Sequence, residues 1–487
     1  MTQDLPGQRV VVMGLGRFGG GLGVTRWLLG QGARVTLTDL LGEEELAEQL
    51  APLREDIGAG RVRLRLGAHD ESDFRSADLV VASPAVPKPW RNPFLRAAEQ
   101  AGVPVTTEIG LLYERIPDHV RVVGVTGSAG KSTTSAMIAA GARAALGDPG
   151  GPRVLYGGNI GGSLLGDLPR MGDAAAVVLE LSSAMLWWLE QSVWGRTPAE
   201  RRERRPRRGV DVAVVTNFSP NHLDWHASLE HYAESKRALL RHQPMESVAV
   251  FGPDLPAAGA TPTGVGRWEA RESVREIRVH PDDAAALRGI LLPGAHNRTN
   301  AAVAFAACRA LRSSLAGAFD LDAAAGAISA FPGLPHRLQF VAEIGAGDGR
   351  PGIRFYNDSK STVPEAAILA VDALVAAGAG RIHLIAGGYD KGLDLSPLIE
   401  RLRALPARLY TVGATGDVLA GMARLARIET APCGTVEAAV RAAADHARPG
   451  EAVLLSPGCA SWDQFPNYER RGEAFIEAVR SLPGASR

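Results

Sequence analysis

The run Val122-Val123-Gly124-Val125-Thr126-Gly127-Ser128-Ala129-Gly130-Lys131-Ser132-Thr133-Thr134 constrains this chain more than any other stretch. A β-branched apolar segment enters a glycine-rich turn, and the Ala-, Met- and Ile-bearing segment 135–145 leaves it with helical character. Strand, glycine loop and helix start in that order make a phosphate cradle, because loop N–H groups and the positive end of the helix dipole converge on an anion. Gly127, Ser128, Ala129 and Gly130 form the cradle; Lys131 adds a movable charge for the outer phosphates and Ser132 a hydroxyl for Mg²⁺. The glycines fall at 124, 127 and 130, out of step with GxxxxGK[ST], whose first glycine would stand where Val125 does. A glycine-rich turn with an exposed lysine is the plainer alternative, and the flanking strand and helix argue against it.

A second glycine turn opens the chain. A strand over 9–13 leads into Gly14-Leu15-Gly16-Arg17-Phe18-Gly19, followed by a helix over 21–30 and a strand over 34–38 ending in Asp39. This dinucleotide-type fingerprint predicts a nucleotide or similar phosphate-bearing ligand without identifying NAD. Strand-like runs at 61–66 and 78–82 follow. The second ends in Ser83-Pro84-Ala85-Val86-Pro87, where a ligand loop and a proline-stiffened turn are equally good readings. A strand over 103–107 leads to Glu108, and a domain boundary near residue 110 fits the restart at the phosphate loop.

Beyond that loop and its helix lies another glycine-rich turn, Gly157-Gly158-Asn159-Ile160-Gly161-Gly162. A strand over 175–179 ends in Glu180-Leu181-Ser182-Ser183. A strand over 210–216 ends in Asn217, followed by Ser219-Pro220-Asn221-His222-Leu223-Asp224-Trp225-His226. In a parallel sheet both polar clusters sit beside the phosphate loop. Glu180 and His222 then read as a Mg²⁺-binding pair, a hard oxygen ligand with a neutral imidazole; either alone would read as a surface residue. A helix over 228–241 carries Lys236, which periodicity places on a solvated face. The stretch 196–208, with seven arginines and two glutamates, has the composition of a solvated loop. Before an Ala-rich helix over 301–311, Asn297 and Asn300 share one face of the first turn, where they could meet a base or ribose. N-capping accounts for one of them equally well.

After Phe331-Pro332-Gly333-Leu334-Pro335-His336-Arg337, strands over 354–356, 382–386, 409–412 and 453–455 alternate with helices starting at Pro364 and Ser396. Three strand ends carry Asn357-Asp358-Ser359-Lys360-Ser361-Thr362, Gly387-Gly388-Tyr389-Asp390-Lys391-Gly392 and Ser456-Pro457-Gly458-Cys459-Ala460-Ser461. Three Lys- and Ser-bearing loops on one sheet edge predict a site for an anionic substrate.

At 487 residues the chain exceeds what one core serves, and its alternating pattern is that of an α/β protein. Lys and Arg total 53 against 53 Asp and Glu, which speaks against a nucleic-acid binder steered by bulk charge. Cys308, Cys433 and Cys459 lack metal-ligand spacing and fit a reducing cytosol. No apolar window approaches ~18–20 residues, and the N-terminal segment has no signal-peptide core. A cytoplasmic protein without membrane contact is the expectation.

Together these motifs resemble the Mur ligases over essentially the full length. The carrying residues are TGSAGKST (126–133), GGNIG (157–161), ELSS (180–183), NHLDWH (221–226) with Lys236, HNRTN (296–300), GLPHR (333–337), NDSKST (357–362), GGYDKGLD (387–394) and SPGCASWDQFPNYERRG (456–472). The last two, with the Rossmann-like N-terminus, resemble the branch that adds D-glutamate. The DNPR-type motif of the lysine- or diaminopimelate-adding branches does not occur, and folate-polyglutamate ligases lack this N-terminal domain.

The resemblance implies three α/β domains: a Rossmann-like UDP-binding domain (1–110), a P-loop-type ATPase domain with a mainly parallel sheet (111–334), and a Rossmann-like glutamate-binding domain (335–487). It implies a monomer that uses ATP and Mg²⁺ to join D-glutamate to UDP-N-acetylmuramoyl-L-alanine through an acyl phosphate. Lys131, Ser132 and Thr133 would hold phosphates and Mg²⁺. Glu180, His222 and a carbamylated Lys236 would hold metal, with Lys131, Lys236 and His222 catalytic. Asn297, Asn300, Arg337 and Asp358 would contact ATP. Gly14, Arg17, Phe18, Asp39, Ser83 and Asn159 would contact the UDP-sugar, and Lys360, Thr362, Lys391, Ser461 and Tyr468 the glutamate. Two positions depart from the family: Ala129 replaces Asn in the loop, and Val363 follows Thr362 where Asn is usual.

Three other readings stand against this one. An NAD-dependent dehydrogenase would use Gly14–Gly19 and Asp39 but leaves the second loop and Lys236 without a role. A nucleotide-gated regulatory or scaffolding protein is opposed by the intact set Lys131, Glu180, His222 and Lys236. A ligase of the same fold taking L-glutamate differs only in stereochemistry, on which the sequence is silent.

Overall fold

The computed structural model describes residues 5–15, 20–148, 153–160, 163–195, 209–255, 265–315, 317–346 and 351–486. Arg17, Phe18 and the arginine-rich stretch 196–208 lie outside the described residues. The chain divides into two compact units, Met1–Ala285 with Asn300–Ile328, and Ala286–Thr299 with Ser329–Arg487.

The first unit holds two sheets. In the N-terminal one, β1 (Arg9–Met13), β2 (Arg34–Asp39), β3 (Val62–Leu66), β4 (Leu79–Ala82) and β5 (Val105–Thr106) lie in the order β3-β2-β1-β4-β5, all parallel. β5 is shorter than the expected 103–107 because Pro104 has no N–H for the ladder, although its carbonyl accepts from Val80 N.

The second sheet comprises β6 (Arg121–Thr126), β7 (Val154–Gly158), β8 (Ala176–Glu180), β9 (Val212–Val215), β10 (Val248–Phe251) and β11 (Arg275–Arg278). Their order is β11-β10-β9-β6-β8-β7, again all parallel. β8 and β9 are buried along their whole length, as expected of valine-rich strands covered on both faces by helices. Gly157 and Gly158 belong to the edge strand β7, where a turn was expected. β6 has β8 on one side and β9 on the other, so its loop opens at the switch point where α/β sheets bind ligands. One apolar core draws on both sheets, from Val10 and Leu37 to Val122 and Val177.

The second unit carries one sheet: β12 (Gln339–Ile344), β13 (Ile353–Asn357), β14 (Ile382–Gly387), β15 (Ala407–Val412), β16 (Glu429–Gly434), β17 (Ala452–Leu455) and β18 (Ala485–Ser486). The order is β16-β15-β14-β17-β13-β12-β18, antiparallel only where β12 meets β13 and β18. β14, β17 and β13 are parallel neighbours, so the three polar loops do leave one edge side by side.

Two helices begin earlier than propensity predicts. Lys131–Ala145 starts at the lysine of the loop, and Ala295–Ser314 takes in Asn297 and Asn300. Ser, Thr and Asn are weak helix formers, and tertiary context overrides them here. Among the described residues no helix is long and apolar enough to cross a membrane.

Candidate active site

Gly124 is not part of the cradle. It lies within β6, and a Cβ there would meet Leu239 Cδ1 at 2.8 Å and Val210 Cγ1 at 3.0 Å. Its absence lets the helix Leu229–Arg241 close onto the strand. The turning glycines are Gly127 (φ 147°) and Gly130 (φ 76°). A side chain on Gly127 would overlap Thr216 Oγ1, and one on Gly130 would overlap Asn300 Oδ1.

Strand β9 ends in the groups that brace this loop. Asn217 Oδ1 accepts from Ser128 N (3.2 Å) and Ala129 N (2.9 Å), Asn217 Nδ2 donates to Ala129 O (3.1 Å), and Thr216 Oγ1 donates to the same carbonyl (2.6 Å). The Ser128 and Ala129 amides assigned to phosphate thus face Asn217, which leaves the first-turn N–H groups of the helix Lys131–Ala145 as the candidate anion donors. Ala129 engages the brace through its backbone alone, so the missing Asn side chain leaves the brace intact. Lys131 Nζ folds back onto Ser128 O at 3.1 Å. We predict that Gly127→Ala raises the KM for ATP about tenfold or more and lowers the melting temperature, because left-handed backbone and the Thr216 contact both oppose it. Steady-state kinetics and a thermal melt check this.

Lys236 overturns the solvated-face expectation. It is 1% exposed, since Leu239 on the same helix seats against Gly124 and turns Lys236 toward the end of β6. Its Nζ donates to Gly127 O at 2.8 Å and Thr126 Oγ1 at 3.4 Å, and lies 4.7 Å from the Tyr232 ring centroid. Burial, reinforced by Lys131 and opposed by Glu180, holds its amine well below the ordinary lysine range. Glu180, 1% exposed, accepts from Asn159 Nδ2 at 3.0 Å through Oε1, while Oε2 is buried with no hydrogen-bond partner. A buried carboxylate oxygen left without a donor is costly, and a divalent cation would satisfy it, so this donor chemistry fits Mg²⁺. His222 is exposed and adopts φ 53°, a strained value for a non-glycine residue. Desolvation, then Lys236 and Lys131, hold its imidazole below the ordinary histidine value, with Asp224 opposing. Among the described residues no group of three or more His, Cys, Asp or Glu is placed to hold a metal. Glu180 and His222 would therefore need a third ligand of another kind.

In the same unit a cavity of about 250 Å³ is lined by Gly14, Ser83, Pro84, Glu108, Asn159 and Ser163 among others. It brings together Gly14, Ser83 and Asn159. Asp39 does not line it; its carboxylate accepts from Leu15 N at 2.8 Å and Leu41 N at 3.0 Å, bracing the glycine turn. Glu108 is an addition. Burial raises its carboxyl above the usual range, and Ser163 Oγ donates to it at 2.6 Å.

In the second unit, a cavity of about 660 Å³ is lined by His296, Arg337, Asp358, Lys360, Ser361 and Leu369 among others. Asp358 accepts from Leu338 N (2.9 Å) and Ser456 Oγ (2.8 Å), and burial pushes its carboxyl up to about 6 from 3.8. A raised folded-state value means stability is fully present below about pH 4 and is lost as pH rises through about 6. Asp358→Asn should remove that loss, about 3 kcal/mol at most, which denaturation of the apo-protein at pH 4 and pH 7 would reveal. Lys360 Nζ lies 5.5 Å from the Tyr468 ring and Lys391 Nζ 4.8 Å from the Trp462 ring. Ser461 is buried and Thr362 half-buried. Asn297 Nδ2 donates to Pro293 O at 2.7 Å.

Sequence reasoning missed Arg471, buried at 2% exposure. Its guanidinium donates to Ser359 Oγ, Ser359 O, Cys459 O and Ala460 O at 2.9–3.0 Å, pinning two of the three polar loops together. Burial lowers it only to about 10, so it remains charged. Asn217 and His226, in the polar segment after β9, and Tyr232, on the helix Leu229–Arg241, were also missed as site residues.

Three family models divide the chain among them: a MurD-like N-terminal domain over residues 8–107, a Mur ligase middle domain over 125–308 and a Mur ligase glutamate ligase domain over 336–459. The UDP-N-acetylmuramoylalanine–D-glutamate ligase of Pelotomaculum thermopropionicum is 35% identical over 501 aligned residues, covering 99% of each chain. The chain belongs to the Mur ligase family. Ligases of the same name from Anaeromyxobacter dehalogenans and Koribacter versatilis are 37% and 33% identical, covering 97% and 98% of both chains respectively. The fold also matches the solved UDP-N-acetylmuramate-alanine ligase of Thermotoga maritima, with a TM-score of 0.51 at 15% identity over 97% of this chain and 99% of that one. Within the Mur ligase fold, the glycine fingerprint at 14–19 therefore belongs to a MurD-like N-terminal domain and not to a dehydrogenase.

Proposed function

We propose that this Mur ligase joins the amino group of D-glutamate to the terminal carboxylate of UDP-N-acetylmuramoyl-L-alanine, driven by ATP, in the assembly of peptidoglycan precursors. The full-length identity to ligases of that name supports the substrates. The observation that carries the chemistry is the grouping of Lys131, Glu180 and Lys236 around one phosphate-type loop. The substrate carboxylate attacks the γ-phosphorus of ATP, ADP leaves, and an acyl phosphate forms. The glutamate amine then attacks the acyl carbon, phosphate departs, and the amine loses a proton.

Each residue's task is electrostatic or positional. Lys131 and the first-turn amides hold the phosphates, with Asn297, Asn300, Arg337 and Asp358 on the remainder of ATP. Gly14, Arg17, Phe18, Asp39, Ser83 and Asn159 would receive the UDP-sugar. Lys360, Thr362, Lys391, Ser461 and Tyr468 receive glutamate. Ser132, Glu180, His222 and Lys236 would hold Mg²⁺, which when bound would supply charge neutralisation for phosphoryl transfer. For that role the Lys236 amine, held well below the ordinary lysine range by burial, would add to carbon dioxide; a C–N bond forms, one proton leaves, and a carboxylate-like ligand results. The domain limits 1–110, 111–334 and 335–487, a monomeric state and a cytoplasmic setting complete the reading.

Parallel assays with each glutamate enantiomer test it. Product should form with D-glutamate and stay near background with L-glutamate; the reverse would make this an L-glutamate ligase.

A further inference from the structure

Trp225 and His226 are adjacent in sequence but bind different parts of the first unit. Trp225, 7% exposed, donates its Nε1–H to Pro84 O at 3.1 Å, on the loop after β4 that lines the 250 Å³ cavity. Trp90 and Trp187 pack around it with ring centroids 5.7 and 5.9 Å away, so the bond sits in an aromatic shell. His226, 1% exposed, has both ring nitrogens engaged: Nε2 with Ser183 Oγ and Nδ1 with His231 Nδ1, each at 2.9 Å. Two partners on opposite sides of a buried ring hold it in one orientation.

Glu180, His222 and Lys236 are each a short step from this pair. Ser183 follows the β8 end at Glu180. Trp225 N and His226 N both donate to His222 O, at 3.2 and 3.0 Å. His231 lies in the first turn of the helix that carries Lys236, where its N–H donates to the capping Ser228 Oγ at 3.1 Å.

We propose that Trp225 and His226 are positioning residues forming one strut, through which the Pro84 loop of the UDP-sugar cleft fixes Glu180, His222 and Lys236. This rests on the function proposed above and adds a coupling between substrate and metal groups. A displacement of the Pro84 carbonyl reaches Glu180 through Ser183 and Lys236 through His231. The rings are packed too closely to absorb it.

The test uses the full chain and measures phosphate release with saturating D-glutamate while UDP-N-acetylmuramoyl-L-alanine, Mg²⁺ and ATP are varied in turn. Trp225→Phe keeps a ring in place and removes the bond to Pro84. It should lower kcat about tenfold and raise the Mg²⁺ concentration for half-maximal rate several-fold, with the KM for ATP changed by less than about twofold. His226→Gln should do the same, and the double variant should be no worse than the weaker single variant, because both break one path. A packing role alone would lower the melting temperature and leave the Mg²⁺ midpoint unmoved. Should His226→Gln fail to fold, Trp225→Phe decides alone: unchanged kcat and Mg²⁺ midpoint overturn the strut, as would multiplicative losses in the double variant. Wild-type protein without UDP-sugar-dependent turnover would overturn the proposed function and the strut with it; wild-type turnover beside an unaffected Trp225→Phe overturns the strut alone.

Discussion

Replacing Lys236 by alanine is expected to reduce kcat by about 10³-fold or more, with added bicarbonate giving no recovery and small carboxylic acids giving partial recovery. Among the described residues Lys236 is, after Arg471, the largest fully buried charged side chain, and its Nζ donates to the carbonyl of Gly127 and the hydroxyl of Thr126 beside the Tyr232 ring. Removing it leaves space beside Glu180 for a diffusible carboxylate to take the place of a lysine carbamate. Bicarbonate cannot help because no amine remains to be modified. Turnover close to wild type in Lys236→Ala, measured by phosphate release, would remove the carbamate from the account.

Glu180→Gln separates activity from stability. The amide keeps the shape of the side chain and an oxygen for Asn159 Nδ2, but replaces the unpartnered buried oxygen's charge. Activity should fall about 10²- to 10³-fold and the Mg²⁺ requirement should rise. The melting temperature should hold or increase, since a carboxylate lacking a hydrogen bond on one oxygen is removed from a buried position. Loss of stability with intact Mg²⁺ dependence would mean that Glu180 braces the fold.

The features that were legible in the sequence are those with local causes. Val-rich runs ending in polar clusters gave strands β1, β6, β8 and β9 within a few residues, and the glycine loop gave its helix. Pairing across the middle sheet is what brings Glu180 and His222 to the loop, and their placement at strand ends anticipated it. Lys236 was illegible from periodicity because its burial depends on Gly124 facing Leu239, a contact between residues far apart in the chain. The same holds for Arg471, whose four carbonyl and hydroxyl partners lie over ten residues away. Asp39 shows what a motif leaves out: it completes the glycine fingerprint in the sequence, but that its carboxylate accepts from the backbone amides of Leu15 and Leu41 emerges only from the fold. Short edge strands such as β11 and β18 left too little pattern to find.

Phosphate release from ATP by the purified chain, with UDP-N-acetylmuramoyl-L-alanine and D-glutamate supplied singly and together, tests the ligase chemistry most directly. We expect rapid release only when both are present, because the acyl phosphate forms on one and is consumed by the other. Release that is independent of either substrate, or absent with both, would contradict it.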